Sequence, residues 1–392
     1  MRRIIKNPCH QELVACRLGH THGNDMKWIV VLSLVANVLA TSVVPASFGN
    51  LHMRRSKRTF GRRVGGICKP RPSEFPSSTS VVVLPTPTSS RPQATTTTTT
   101  TRPALPSSVP VQGIAAKVLP LGLGNSANSW TTVPNTNEYH ALADTGSTLR
   151  PTRVLGGSLA AVGTAPDGRA AMEVFFAQGS YAFTSGVAGG ISFYAYGPSD
   201  LSSGNEFTLG YSIFFESGFD FVHGGKLPGL YGGTSNEEAA SCSGGRHAET
   251  CFSTRFMWRD QGAAELYVYL PSDPANKSLC NGARIPGRNI CESDYGMSLG
   301  RGSFYFKAGQ WNYVAQRIKL NTPGKADGEL QVWYDGKSIW SVGGIVFRGA
   351  GMDASRVRGL MVQSFFGGHE ASWASRKDQR LWFADFSVAQ LS

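Results

Sequence analysis

Charge is scarce in this chain. Asp, Glu, Lys and Arg make up 16% of its 392 residues, against about a quarter in an ordinary globular protein. Long 3.6-residue apolar periods are missing, which excludes a coiled coil or a mostly helical protein. Internal repeats are missing, which disfavours a propeller. The sequence holds no nucleotide fingerprint, Walker loop, HExxH or zinc-finger spacing, so no cofactor is expected. What net charge there is, a formal +12, is unevenly placed. Residues 1–112 carry 15 Lys and Arg against 3 Asp and Glu, while residues 113–392 carry 23 of each. The balanced part has no overall field to steer a polyanion, and no nucleic-acid partner is expected. An acidic ligand would have to be met by a local basic site.

The arm before residue 113 divides by composition. Residues 28–40 read WIVVLSLVANVLA and follow Met26 and Lys27. A charged start, an apolar run of this length and small residues after it fit a signal peptide over 26–47, with 1–25 as an upstream extension. A single membrane anchor is the alternative, weakened by Asn37, Thr41, Ser42 and Pro45. Secretion or an extracellular location is therefore expected. Residues 48–71 are basic, with dibasic pairs at 54–55, 57–58 and 62–63, and read as a processing site or a solvated linker. Residues 72–114, rich in Ser, Thr and Pro, cannot bury a core and suit a glycosylated stalk. The arm is thus expected to be disordered, with folded sequence over 115–392.

Seven cysteines support an oxidising compartment, and four lie in the balanced part. Spacings of 9 and 11 residues suit local staples Cys242–Cys251 and Cys280–Cys291, one of three possible connectivities. Cys68 is left odd. His247 is the only histidine close to the cysteines, so a metal site is not expected. Asn276-Lys277-Ser278 is a glycosylation sequon between the two staples.

From about 131 onward, aromatic and β-branched runs alternate with Gly, Pro, Asn and Asp. Runs at 171–177, 191–197, 207–215, 253–258, 265–270, 302–308, 311–320, 328–336, 360–368 and 381–388 read as strands. Ten strands and almost no helix predict an all-β, jelly-roll β-sandwich. One hairpin can be read in register. Asp260-Gln261-Gly262 is expected to form a type I turn with Gly262 left-handed. That pairs Arg255 with Tyr267 and Ser253 with Tyr269, and puts those four on one face with Met257. Phe256, Trp258, Leu266, Val268 and Leu270 form the other face, which is core. The segment FVHGGKLPGLYGG (221–233), with its five glycines and proline, reads as a turn exposing Lys226.

An Arg beside two Tyr is an ordinary sheet decoration, but it is also what uronate elimination needs. Removing the proton on C5 of a uronic acid puts a second negative charge beside the carboxylate, so a cation must neutralise that carboxylate. A base takes the proton and an acid protonates the departing O4. A phenol near Arg or Lys is expected to ionise more easily.

The strings GGKLPGLYGG, STRFMWR, ELYVYLP and SFFGGHEASWASRKDQRLWFADFSV resemble polysaccharide lyase family 14, alginate- and glucuronan-degrading lyases with a jelly-roll fold. The resemblance spans about 200–390. It implies a cleft of Lys226, Ser253, Arg255, Tyr267 and Tyr269, acting without metal on an acidic polysaccharide and leaving 4,5-unsaturated uronate ends. Arg255 would neutralise the carboxylate. Tyr267 and Tyr269 would share the base and acid roles, Lys226 would be an alternative base or a stabiliser, and Ser253 would orient a neighbour. A monomer is expected. His223, and the group His369, Trp373 and Asp378, are not assigned chemistry. Three other readings compete. A glycoside hydrolase would need two carboxylates, and Glu265 has no nameable partner. A non-catalytic protein could bind an acidic glycan on the same face. A structural cell-surface protein could ride on the stalk.

Overall fold

The computed structural model describes residues 113–392, apart from 144, 156–158, 184, 282–283 and 293. The segments 1–25, 26–47 and 48–71, and the linker as far as residue 112, lie outside the described residues, as does Cys68. The described residues open with a short helix, α1 (Ile114–Val118). Its Ala115 and Val118 pack with Leu119, Leu123, Ala389 and Leu391 in a small apolar cluster.

Sixteen strands follow among the described residues: β1 (Asn125–Thr131), β2 (Pro151–Leu155), β3 (Val162–Thr164), β4 (Ala170–Phe176), β5 (Ile191–Ala195) and β6 (Glu206–Phe215). Then come β7 (Gly224–Gly233), β8 (Cys251–Arg259), β9 (Ala264–Tyr269), β10 (Arg288–Ile290) and β11 (Met297–Arg301). The last are β12 (Trp311–Lys319), β13 (Gly328–Tyr334), β14 (Lys337–Ile345), β15 (Arg356–Ser364) and β16 (Gln379–Gln390). One sheet runs β14-β13-β12-β6-β16-β4-β3, with β1 also on β16, and the other runs β10-β11-β9-β8-β7-β15-β5-β2. Every strand pair within them is antiparallel. This is the β-sandwich expected of the sequence.

The core lies between the sheets. Leu209, Tyr211, Ile213 and Phe215 of β6 alternate toward it, and Phe256, Trp258, Leu266 and Val268 meet them from the second sheet. The sheets are also tied by buried hydrogen bonds. Thr254 Oγ1 donates to Gln316 Oε1 at 2.6 Å, and Gln316 Nε2 donates to the Thr254 carbonyl at 2.9 Å.

The β8–β9 hairpin has the expected register, with Ser253 opposite Tyr269 and Arg255 opposite Tyr267. Its turn differs. Gln261 (φ 56°) as well as Gly262 (φ 79°) is left-handed, so it is not a type I turn. The expected strand at 302–308 is also absent. That segment makes only an isolated bridge at Tyr305, and its alternating Phe304 and Phe306 plug the core from a loop.

The largest departure is at 224–233. The glycine- and proline-rich segment is no turn but β7, a ten-residue strand between β8 and β15. Glycine here serves close packing. A Cβ on Gly229 would stand 1.9 Å from the Thr254 carbonyl oxygen, and one on Gly225 would stand 2.1 Å from the Trp258 ring. Pro228, which has no N–H to give, falls where the register shifts between Lys226 and Gly229. Its carbonyl accepts from Tyr211 Oη at 2.7 Å.

Both local disulfides form, Cys242–Cys251 and Cys280–Cys291. The Asn276 sequon is a correction. The side chain is 1% exposed. Its Nδ2 donates to the carbonyls of Pro271 and Val346, and its Oδ1 accepts the Val346 N–H. An amide spent this way in the interior has no room for a glycan.

Candidate active site

The site lies on the face of β5, β15, β7, β8, β9 and β11 that turns away from the core. Strand pairing sets Tyr194, Met361, Gly229, Arg255, Tyr267 and Ser298 in one row across six strands. Tyr231, Ser253 and Tyr269 form the row beside it. Gly229 presents no side chain, and Arg255 reaches over β7 to β15, where Nη1 donates to Gln363 Oε1. Gln363 is fixed in turn by its Nε2 donating to Ser192 Oγ at 2.9 Å.

Of the five residues expected in the cleft, four converge. Lys226 Nζ lies 4.0 Å from the centre of the Tyr267 ring and 2.9 Å from Met257 Sδ. The Tyr267 and Tyr269 rings meet edge to face with centroids 5.8 Å apart. The Arg255 guanidinium carbon is 6.0 Å from the Tyr269 centroid. Arg255 is 2% exposed, and its Nε is a buried donor with no acceptor among the described residues. Such an unmet donor costs about 1–3 kcal/mol, more when charged.

Ser253 shares the face but not the group's chemistry. It is fully buried, and its Oγ donates to the Cys242 carbonyl at 2.8 Å, tying β8 to the disulfide loop. The expectation that it orients a substrate carboxylate or a tyrosine is thereby corrected, because its hydroxyl proton is already committed to backbone.

The phenols are nearly closed over as well. Tyr269 Oη accepts the N–H of Gly245, from the loop that Cys242 and Cys251 close, and Tyr267 Oη accepts the N–H of Gly296, both at 3.0 Å. Burial raises the Tyr267 pKa above the ordinary phenol value, and neighbouring Tyr269 adds to this. Arg255 and Arg259 pull it down without reversing the shift. The expectation of an easily ionised Tyr267 therefore fails, because loss of water outweighs two nearby cations. Lys226 moves the other way. Burial and then the Arg255 and Arg259 cations hold its amine well below the ordinary 10.5, with Glu265 opposing them. An amine made easier to deprotonate and a phenol made harder to ionise are thus set side by side.

Glu265 was named by sequence reasoning, but its two partners were missed. It is 1% exposed, and the guanidinium groups of Arg259 and Arg301 grip it at 2.5 and 2.6 Å. Burial would raise its pKa, but the two arginines and Ser298 outweigh that and hold it below the usual carboxylate range. A carboxylate kept ionised between two cations is a poor proton donor, which removes the hydrolase reading. Gln363 was also missed. Its period-2 relation to Met361 was visible, but the pairing of β15 with β7 was not.

A sandwich with an Arg, a Lys and two Tyr gathered on one outer sheet face has the parts of an eliminating polysaccharide lyase. The family model described as polysaccharide lyase 14 matches residues 164–386, and the chain belongs to that family. It is similar to the crystal structure of the marine PL-14 alginate lyase from Aplysia kurodai, with 31% identity over 67% of this chain and 98% of that one, and a TM-score of 0.56. It is also similar to the alginate lyase vAL-1 from Chlorella virus, with 27% identity over 64% of this chain and 96% of that one, and a TM-score of 0.52. No curated protein matches it.

Proposed function

We propose that this polysaccharide lyase is secreted and cleaves a uronic-acid polysaccharide of alginate or glucuronan type by β-elimination without a metal. The observation that carries the reading is the buried, unmet Nε of Arg255 beside Lys226 and Tyr267. A uronate carboxylate is the acceptor that donor lacks, and the Arg255 guanidinium would neutralise the charge a metal otherwise would. Two similar structures are alginate lyases by name, which favours alginate among the uronate polymers.

In this reading Lys226 Nζ, as the neutral amine, takes the C5 proton. The C–H electron pair becomes the C4–C5 double bond, the C4–O4 bond breaks, and the Tyr267 phenol gives its proton to O4. The resulting ammonium and phenolate cancel in charge, and proton transfer between them restores the starting state. Tyr269 braces Tyr267, and Gln363 sets the Arg255 guanidinium. Because the phenols are 2–7% exposed, the loop carrying Gly245 must withdraw for a chain to bind.

The same closure favours the second reading, an acidic-glycan binder without turnover. Incubation with polymannuronate, polyguluronate and glucuronan separates the two. Ultraviolet absorbance of unsaturated uronate ends is expected on at least one polymer, and Arg255→Ala abolishes it while circular dichroism stays unchanged. Binding to a polymer without any absorbing product would sink the lyase mechanism in favour of the binder.

A further inference from the structure

Beyond Tyr267 the same face opens into a pocket of about 360 Å³ lined by His223, Arg259, Asp260, Ala263, Arg301 and Trp373. Arg259 joins it to the elimination site, since its guanidinium carbon is 5.9 Å from the Tyr267 ring centre and 5.8 Å from that of Trp373. Arg255 and Arg259 are four residues apart on one strand, about 13 Å along it, too far for one sugar's carboxylate to reach both.

The pocket is built rather than incidental. Glu265 Oε1 accepts from Arg259 Nε and Nη2 at 2.8 and 2.5 Å, and Oε2 accepts from Arg301 Nε and Ser298 Oγ at 2.6 and 2.5 Å. That holds both guanidinium planes still. The clamp engages Arg259 through Nε and Nη2 and Arg301 through Nε, so Arg259 Nη1 and both Arg301 Nη atoms lie outside it. Trp373 is set as a wall. His223 meets it edge on, with centroids 5.5 Å apart, and Gly368 (φ 79°) lies so close that a Cβ there would stand 2.3 Å from the indole. Asp260 is the one carboxylate on the lining. Against it and Glu265 stand Arg259 and Arg301, with Lys226 and Arg255 within electrostatic reach.

We propose that this pocket is a second uronate subsite: it takes the carboxylate of a sugar farther along the bound chain on Arg259 and Arg301, and that sugar's ring against Trp373. Planar, pre-oriented guanidinium donors suit a carboxylate, and an aromatic wall suits the apolar face of a pyranose. The inference rests on the uronate-lyase reading, and the experiment separates the two.

Arg301→Gln and Trp373→Ala are compared with wild type in two assays. One is the rate of unsaturated-end formation on polymannuronate and on its trisaccharide. The other is retardation of the protein in native gels cast with polymannuronate, which needs no turnover. Arg301→Gln is expected to raise KM on the polymer about tenfold, the loss of one hydrogen bond to a charged group. Its KM should respond less to added salt, the trisaccharide rate should change less than the polymer rate, and gel retardation should fall. Trp373→Ala leaves the ion pairs intact and should weaken polymer binding without changing the salt response. Polymer KM and gel retardation equal to wild type in both variants would overturn the subsite while leaving the lyase. Retardation lost in the variants, with no unsaturated product from wild type, would keep the subsite and remove the lyase.

Discussion

At the scale of single residues, partners decide roles that position alone suggests equally. Ser253 and Arg255 are two apart on β8 and face the same way, yet the first is bonded to the Cys242 carbonyl and the second keeps an unmet donor. Ser253→Ala should therefore cost stability, about 1–3 kcal/mol by denaturant unfolding because a buried acceptor is left unpaired. Its loss of kcat should be much smaller than that of Arg255→Ala. Lys226 makes a pH prediction. In the proposed mechanism its active form is the neutral amine, so kcat/KM should rise as pH rises through its lowered pKa, well below 10.5. Lys226→Met, which removes the proposed base, should abolish formation of unsaturated ends at every pH, read by ultraviolet absorbance. The same shift acts on folding. Between the lowered pKa and 10.5 the unfolded chain binds the proton that the folded one refuses, so this group's contribution to stability grows with pH across that window. The residue types of the site were legible in the sequence because hairpin register follows from strand alternation and loop length. The direction of the Tyr267 shift was not, because burial depends on which loops lie above the strand.

At the scale of elements, β7 and the disulfide loop govern the site's shape. Glycine and proline read as a turn because both are poor strand formers. Here glycine lets β8 approach from one side of β7, and proline sits where the register slips. Neither reason is local, so neither could be read from ten residues. Gly229→Ala should lower the melting temperature markedly, consistent with an overpacking cost of about 1–3 kcal/mol. It should also depress kcat by moving Arg255. The loop closed by Cys242–Cys251 supplies the Gly245 N–H to Tyr269. Replacing both cysteines by serine should lower stability by about 2–3 kcal/mol, as for a short closed loop. Mass spectrometry of the untreated protein should find both disulfides formed.

At the scale of the molecule, the sandwich, its two-sheet core and the reading of balanced charge were open to sequence patterning. Alternating apolar runs mark any sheet that is half buried. Strand order was not legible, since β7 is flanked on one side by β8, next in sequence, and on the other by β15, far along the chain. The unbalanced charge lies before residue 113. Removing residues 1–112 should leave the rate on short substrates within about twofold, and should weaken low-salt retention on polyanionic resin through loss of the basic arm. Cleavage assays and ion-exchange elution check this.

The bare backbone of Gly229 beneath the Arg255 side chain has one more consequence. A worker wishing to redirect the protein toward a different sugar cannot remodel the bottom of the groove, since any substitution there presses neighbouring strands apart before it meets a ligand. New preferences must be engineered from the more exposed side chains beside the groove, such as His223 or Trp373.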